Sequence, residues 1–87
     1  MDRLTLDLVR LIARRKELVL RIGELKAKLG LGVEDEQREA QVVEVGIRAS
    51  KEMGVDPDVV EAVLRSLIEY GRRLQKEALS NKDTPGP

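Results

Sequence analysis

A seam of apolar residues near the N-terminus most constrains what this chain can fold into. Its members recur at steps of four and three, as on one face of an α-helix: Leu4, Leu8, Leu11, Leu18, Ile22, Leu25 and Leu29. The pattern predicts one long helix that ends at Gly30 and Gly32, with Gly23 as its weak point. Such a helix would span roughly 42 Å, more than residues 35–79 of the same chain can cover. We therefore expect it to pack against a second copy of the chain.

Two cations interrupt the apolar faces of this helix. Arg15 occupies a position of the seam, and Lys26 interrupts the neighbouring stripe that contains Val19. The helical repeat brings these cations to within about 20° of each other, three turns apart along one face. A desolvated cation usually has a counter-ion, which is either a protein carboxylate or an anionic ligand. A salt bridge to another helix, or a side chain that reaches water, is the structural alternative.

The composition excludes several classes of function. The 87 residues make one small domain with no cysteine, histidine, tryptophan or phenylalanine, and Tyr70 is the only aromatic residue. Zinc-finger chemistry, Ser-His-Asp triads, thiol catalysis and base stacking are therefore excluded, and we expect neither a cofactor nor a metal. With no secretory segment and no long apolar run, we expect a cytoplasmic protein that does not enter a membrane.

The charge distribution argues against a nucleic-acid surface. Residues 1–30 carry eight cations and four anions, whereas residues 33–58 carry three cations and eight anions. The formal net charge is zero. Packing of a basic first helix against an acidic second helix would neutralise both, so we expect no nucleic-acid partner.

Two further helices follow the first, which predicts an all-α chain of three helices. The second should begin at the N-cap Asp35 and end at Met53, before Gly54. The third should begin at Asp56 and Pro57. We predict a helical domain over residues 1–79 and a disordered tail over residues 80–87. The expected buried residues are Val42, Val43, Gly46, Ile47, Ser50 and Met53 in the second helix, and Val60, Val63, Leu64, Leu67, Ile68, Leu74 and Ala78 in the third.

Each of these helices also carries polar residues where its apolar stripe should continue. Glu39 precedes the apolar stripe of the second helix, with Arg38 beside it and Asp35 one turn earlier. Gln75 interrupts the stripe of the third helix, and Gly71, one turn before it, leaves room for something other than a side chain. Each residue alone is compatible with an interhelical ion pair or a rim position. Together with the two cations they predict a site inside a helical bundle for a multiply anionic small molecule.

Three segments carry a resemblance to a known family. They are RKELVLRIGELKAKLG at residues 15–30, VEDEQRE at 33–39 and LIEYGRRLQKE at 67–77. With this joint spacing, the chain from about Leu4 to Leu79 resembles the small monofunctional all-helical chorismate mutases of archaea and bacteria. The resemblance implies an isomerase of phenylalanine and tyrosine biosynthesis that converts chorismate to prephenate without a cofactor. It also implies an intertwined homodimer, and allows association with another enzyme of aromatic biosynthesis.

The resemblance implies a role for each candidate residue. Arg15 would bind a substrate carboxylate, and Lys26 and Gln75 would both reach the ether oxygen. Arg38 would hold or orient a carboxylate. Glu39 would accept the proton of the ring hydroxyl.

Two positions depart from the family pattern. The family usually has a serine or similar residue where this chain has Gly71, so any contact there must come from backbone or water. Family members also carry an arginine near the start of the first helix, which would fall before Met1 in this register. Three explanations stay open: the first residues are missing from this chain, Arg3 or another group substitutes for the arginine, or the activity is weak.

The resemblance also implies a role for Asp35, which would shape the pocket largely through its backbone.

Two other functions stay open at this stage. Isochorismate pyruvate lyase shares the fold, the arginine and lysine of the first helix and the late glutamine, although Glu39 favours the mutase. The chain could also be a non-catalytic dimerisation or regulatory module in which the buried charges are structural.

Overall fold

The chain is helical throughout the part described by the computed structural model. That part comprises residues 2–32 and 35–83, with side chains as far as residue 78. Its three helices are α1 (Arg3–Lys28), α2 (Glu36–Met53) and α3 (Pro57–Asp83). The described ranges contain no strand. The predicted all-α chain with a long first helix is confirmed.

Local capping interactions set the limits of α1. The Asp2 carboxylate accepts a hydrogen bond from the backbone N–H of Thr5 at 3.2 Å, which satisfies one of the free donors at the helix start. At the other end Gly30 adopts a left-handed φ of 73°, and the N–H of Leu31 donates to the Lys26 carbonyl at 2.8 Å. Gly30 therefore stops the helix as its sequence position predicts.

The limits of α2 and the start of α3 also agree with the sequence. The Asp35 carboxylate accepts from the backbone N–H of Arg38 at 3.0 Å and caps α2. Gly54 follows the last residue of α2 with a φ of 73°. The Asp56 carboxylate accepts from the N–H of Asp58 at 2.9 Å as α3 begins.

The end of α3 differs from the prediction. Its backbone remains helical to Asp83, four residues beyond the end expected at Leu79. Residues 84–87 lie outside the described residues, so the disordered tail stays a prediction.

The chain forms two compact units. The first unit comprises Met1–Val33 and Gly71–Pro87, and therefore contains α1 and the second half of α3. The second unit comprises Glu34–Tyr70, which contains α2 and the first half of α3.

The second unit packs through small residues of α2. Val43 is only 5% exposed and Ser50 only 3%, and the Ser50 hydroxyl donates to the Ile47 carbonyl at 2.6 Å. A Cβ on Gly46 would overlap the Leu64 side chain. Gly46 therefore allows α2 and α3 to approach closely, as its predicted place on the buried side requires.

Two expected core residues of this unit are exposed instead. Met53 is 76% exposed and Val63 is 47% exposed. Met53 is the last residue of α2 and lies about 80° around the helix from Val43. Val63 lies about 100° from its neighbour Leu64, which packs on Gly46. The prediction placed both residues on too wide an apolar face.

In the first unit the apolar seam of α1 is uncovered. All seven of its apolar members are between 49% and 77% exposed, with Ile22 the least and Leu4 the most exposed. A contiguous apolar face of this length usually marks an interaction surface. Within the residues that the structure describes, no helix combines the length and apolarity needed to span a membrane.

Candidate functional site

The side chain of Gln75 is held against the backbone of α1. Its Nε2 donates a hydrogen bond to the carbonyl oxygen of Val19 at 2.8 Å. A carbonyl only accepts hydrogen bonds, so the NH₂ group of the amide must face α1. An amide nitrogen carries two hydrogens, and the Val19 carbonyl takes one of them. The second hydrogen is available to a ligand.

Glycines lie on both sides of this hydrogen bond. A Cβ on Gly23 would be 2.9 Å from Cγ of Gln75 and 3.2 Å from its Nε2. On α3, Gly71 is buried, and a Cβ there would be 3.3 Å from Cγ1 of Val19. The Val19 side chain thus fills the space expected to be free beside Gly71, and a substrate contact of Gly71 stays a prediction. The two glycines let α1 and α3 approach closely enough for the amide to reach the backbone.

Arg15 has a buried donor with no acceptor. The residue is half-buried, and its Nε is fully buried with no hydrogen-bond partner among the described residues. Arg15 forms no ion pair with any residue in the described ranges. The salt bridge that would have given Arg15 a structural role is therefore not found in this part of the chain. A buried guanidinium N–H without a partner is unfavourable, and an anionic ligand would supply the missing acceptor.

Lys26 is the second half-buried cation of α1. It too has no ion pair with the residues that are described. Arg15 and Lys26 are about 16 Å apart along the helix axis. Gln75 contacts α1 between them, at Val19 and Gly23. The first unit thus presents two cations and an oriented amide along one side of α1.

The other candidate residues form the first turn of α2, in the second unit. The Asp35 side chain caps Arg38, and the Asp35 carbonyl accepts from the N–H of Glu39 at 3.0 Å. Glu39 is half-buried, whereas Arg38 is exposed. Consecutive helical residues point about 100° apart, so the structure does not bring these two side chains to one face. Arg38 instead lines a shallow groove of about 440 Å³ along α2 with Gln41, Val42, Glu44, Val45 and Arg48.

Sequence reasoning missed two contributors to this geometry. Gly23 was interpreted only as a weak point of α1, and Val19 only as an apolar residue. In the structure Gly23 provides the space for Gln75, and Val19 provides the acceptor. The available signal was a glycine inside a helix, where alanine would be more stable by about 1 kcal/mol.

Comparison with known proteins identifies the family. The family model described as chorismate mutase type II matches residues 1–76. The chain belongs to this family. The resemblance predicted from the three sequence segments is therefore confirmed.

Several curated relatives share this domain. A chorismate mutase from Methanocaldococcus jannaschii is 31% identical over 78 residues, which are 90% of this chain and 79% of that protein. A T-protein from Enterobacter agglomerans is 33% identical over 98% of this chain. A bifunctional chorismate mutase/prephenate dehydratase from Aquifex aeolicus is 33% identical over 87% of this chain. The matched regions are only 20% of the T-protein and 22% of the bifunctional protein.

Proposed function

We propose that this chain is a chorismate mutase, an isomerase that converts chorismate to prephenate in aromatic amino-acid biosynthesis. Membership of the family and the named relatives support this activity. The observation that carries the proposal is the Gln75 amide, which is fixed on α1 between two cations that have no counter-ion among the described residues. Such an arrangement suits a small molecule with several negative or partly negative oxygens.

Arg15 binds a carboxylate of the substrate in this proposal. Its buried Nε has no acceptor among the described residues, and a guanidinium pairs well with a carboxylate through parallel hydrogen bonds. Clamping both ends of chorismate selects the compact conformer in which the reacting carbons meet. Part of the rate acceleration then comes from orientation alone.

Lys26 and Gln75 act on the ether oxygen. In the rearrangement the C–O bond lengthens before the new C–C bond is complete, so negative charge develops on that oxygen. The Lys26 ammonium and the free N–H of the Gln75 amide stabilise this charge more in the transition state than in the ground state. The reaction needs no nucleophile and no proton transfer to a substrate carbon.

The roles of the α2 residues rest on the family resemblance. Arg38 orients a carboxylate and Glu39 accepts a hydrogen bond from the ring hydroxyl. Asp35 supports both indirectly, because its capping hydrogen bond orders the turn that carries them. The groove beside Arg38 is open to solvent on one side of α2.

The active enzyme is a homodimer in this proposal. The uncovered seam of α1 supports a second copy as the partner, since its seven apolar side chains repeat along one helix and suit another seam of the same kind. A partner chain could also provide the cation for which the family uses an upstream arginine. Association with a further enzyme of aromatic biosynthesis is compatible with the bifunctional relative.

A direct assay tests this function. Purified protein should consume chorismate, followed by loss of its absorbance, and chromatography should identify prephenate as the product. Lys26→Ala should lower kcat by about 100-fold or more, whereas Lys28→Ala, two residues along the same helix and exposed, should not.

Two outcomes would reject the mutase. Release of pyruvate from isochorismate, without prephenate from chorismate, would favour the lyase. Absence of any turnover, together with a melting temperature that does not respond to chorismate-like dianions, would favour a non-catalytic module.

A further inference from the structure

We propose that Gly23 is a positioning residue for the reaction, because its missing side chain lets the Gln75 amide reach the Val19 carbonyl. The inference rests on the proposed function and extends it to a residue that does not touch the substrate. Any side chain at position 23 would move the amide away from its place on α1. The free N–H of the amide would then no longer point at the ether oxygen of the substrate.

The steric argument comes from the surroundings of Gly23. The three atoms nearest to a Cβ at this position all belong to Gln75: Cγ at 2.9 Å, Nε2 at 3.2 Å and Cδ at 3.3 Å. Real Cβ atoms do not come this close to a Cγ, so Gln75 would have to shift. The closest contacts of a methyl group would therefore all be with Gln75.

The backbone argument explains why this shift would matter. The Val19 carbonyl lies within α1 and has two lone pairs, so it can accept the Gln75 N–H in addition to the helical hydrogen bond. The bond sets which way the amide faces. Without it the amide is free to rotate and present its oxygen to the ether oxygen, which would be repulsive.

Helix propensity makes the glycine unusual at this position. Glycine in the middle of a helix is about 1 kcal/mol less favourable than alanine, and Gly23 has an ordinary helical backbone without a positive φ. Its backbone conformation therefore does not require glycine. The contact with Gln75 does.

A double-mutant cycle tests the inference. Gly23→Ala should lower kcat by about tenfold or more with little change in KM, because the displaced amide acts only in the transition state. In a Gln75→Ala background, which removes Cγ, Gly23→Ala should change kcat by less than about twofold. Glu24→Ala, an exposed neighbour on α1, is the matched control and should leave kcat unchanged.

The side-chain amide of Gln75 provides a readout that does not depend on activity. Nuclear magnetic resonance should show slow hydrogen exchange of this NH₂ group in the native protein and fast exchange in Gly23→Ala. If the native protein lacks mutase activity but shows this difference, the proposed function fails and the positioning contact stands.

Three results would overturn the inference. These are near-native kcat in Gly23→Ala, an equal loss of kcat in both backgrounds, and fast amide exchange in the native protein. If Gly23→Ala alone does not fold while the double variant with Gln75→Ala does, the steric coupling of the two positions is supported.

Discussion

Arg15 shows how much a single residue reveals about this protein. It interrupts an apolar seam, and its buried Nε has no partner in the described part of the chain. Leaving a buried donor unsatisfied costs about 1–3 kcal/mol, a penalty that a scaffold would avoid. We interpret the unsatisfied Nε–H as a hydrogen-bond donor to a substrate carboxylate.

Arg15→Leu should therefore abolish activity while leaving the melting temperature unchanged or raising it. Leucine continues the seam, which the proposed dimer buries, and replacing a buried cation by a well-packed aliphatic side chain is often neutral or stabilising. Paired melting curves and mutase assays check this. Arg14→Leu is the matched control, since Arg14 is the exposed neighbour, and it should keep its activity. Strong destabilisation with retained activity would make Arg15 a structural residue.

Gln75→Glu should make the activity depend on pH. An ionised carboxylate cannot donate to the Val19 carbonyl, so that carbonyl favours the protonated form and raises the pKa of the new carboxyl group. Activity should be present at low pH and lost as the pH rises through that pKa.

The maximum activity of Gln75→Glu should stay below that of the native protein. A protonated carboxyl group has one hydrogen to donate, whereas the amide nitrogen has two. The amide can therefore donate to both the Val19 carbonyl and the ether oxygen, and the carboxyl group to only one of them. Profiles of kcat against pH for both proteins provide the measurement. A variant that is equally active at neutral pH would show that donation from this position is not required.

At the level of elements, both ends of α1 and α2 and the start of α3 depend on short-range contacts. The Asp35 cap is the one closest to candidate residues, because it orders the turn that contains Arg38 and Glu39. A lost N-cap usually lowers stability by about 1 kcal/mol.

Asp35→Ala should lower the free energy of unfolding by about 1 kcal/mol and reduce activity through disorder of this turn. Asp35→Asn should restore both properties, since asparagine caps as well as aspartate. Chemical denaturation and kinetics on the two variants test this. Recovery of stability without recovery of activity would instead give the carboxylate a direct role.

The third helix contributes residues to both compact units. At 27 residues it is one residue longer than α1, which has 26. Its first half packs on α2 through Leu64, and its second half packs on α1 through Gly71 and Gln75. Gly23, Gly46 and Gly71 lie at these helix contacts, where the absence of a side chain lets two backbones approach closely.

At the scale of the whole molecule, the exposed seam predicts a dimer. Leu18→Lys should break the association because it places a charge in the middle of the seam, where Leu18 is 51% exposed in the single chain. Glu17→Lys adds the same cation one residue away, on the polar side of α1, and should remain dimeric. Analytical ultracentrifugation at micromolar concentration distinguishes the two. A well-folded monomer of the unmodified protein would contradict the dimer outright.

The sequence alone determined the helices and the family. Helix limits depend on contacts between residues two to five positions apart, so Asp35, Gly54 and Asp56 could be assigned from local pattern. The family was predicted from the resemblance of three sequence segments to the all-helical chorismate mutases, and the match of the family model to residues 1–76 confirms it.

Only the tertiary structure decided which surfaces meet. The bond between Gln75 and Val19 joins residues 56 positions apart, and its length depends on how closely two helices approach. The distance between α1 and α3 depends on residues without a side chain, such as Gly23 and Gly71. Glycines do not contribute to the apolar periodicity from which buried faces are predicted. Periodicity gives the direction of a side chain, but not what lies opposite to it. For the same reason Met53 was assigned to a core that does not extend that far.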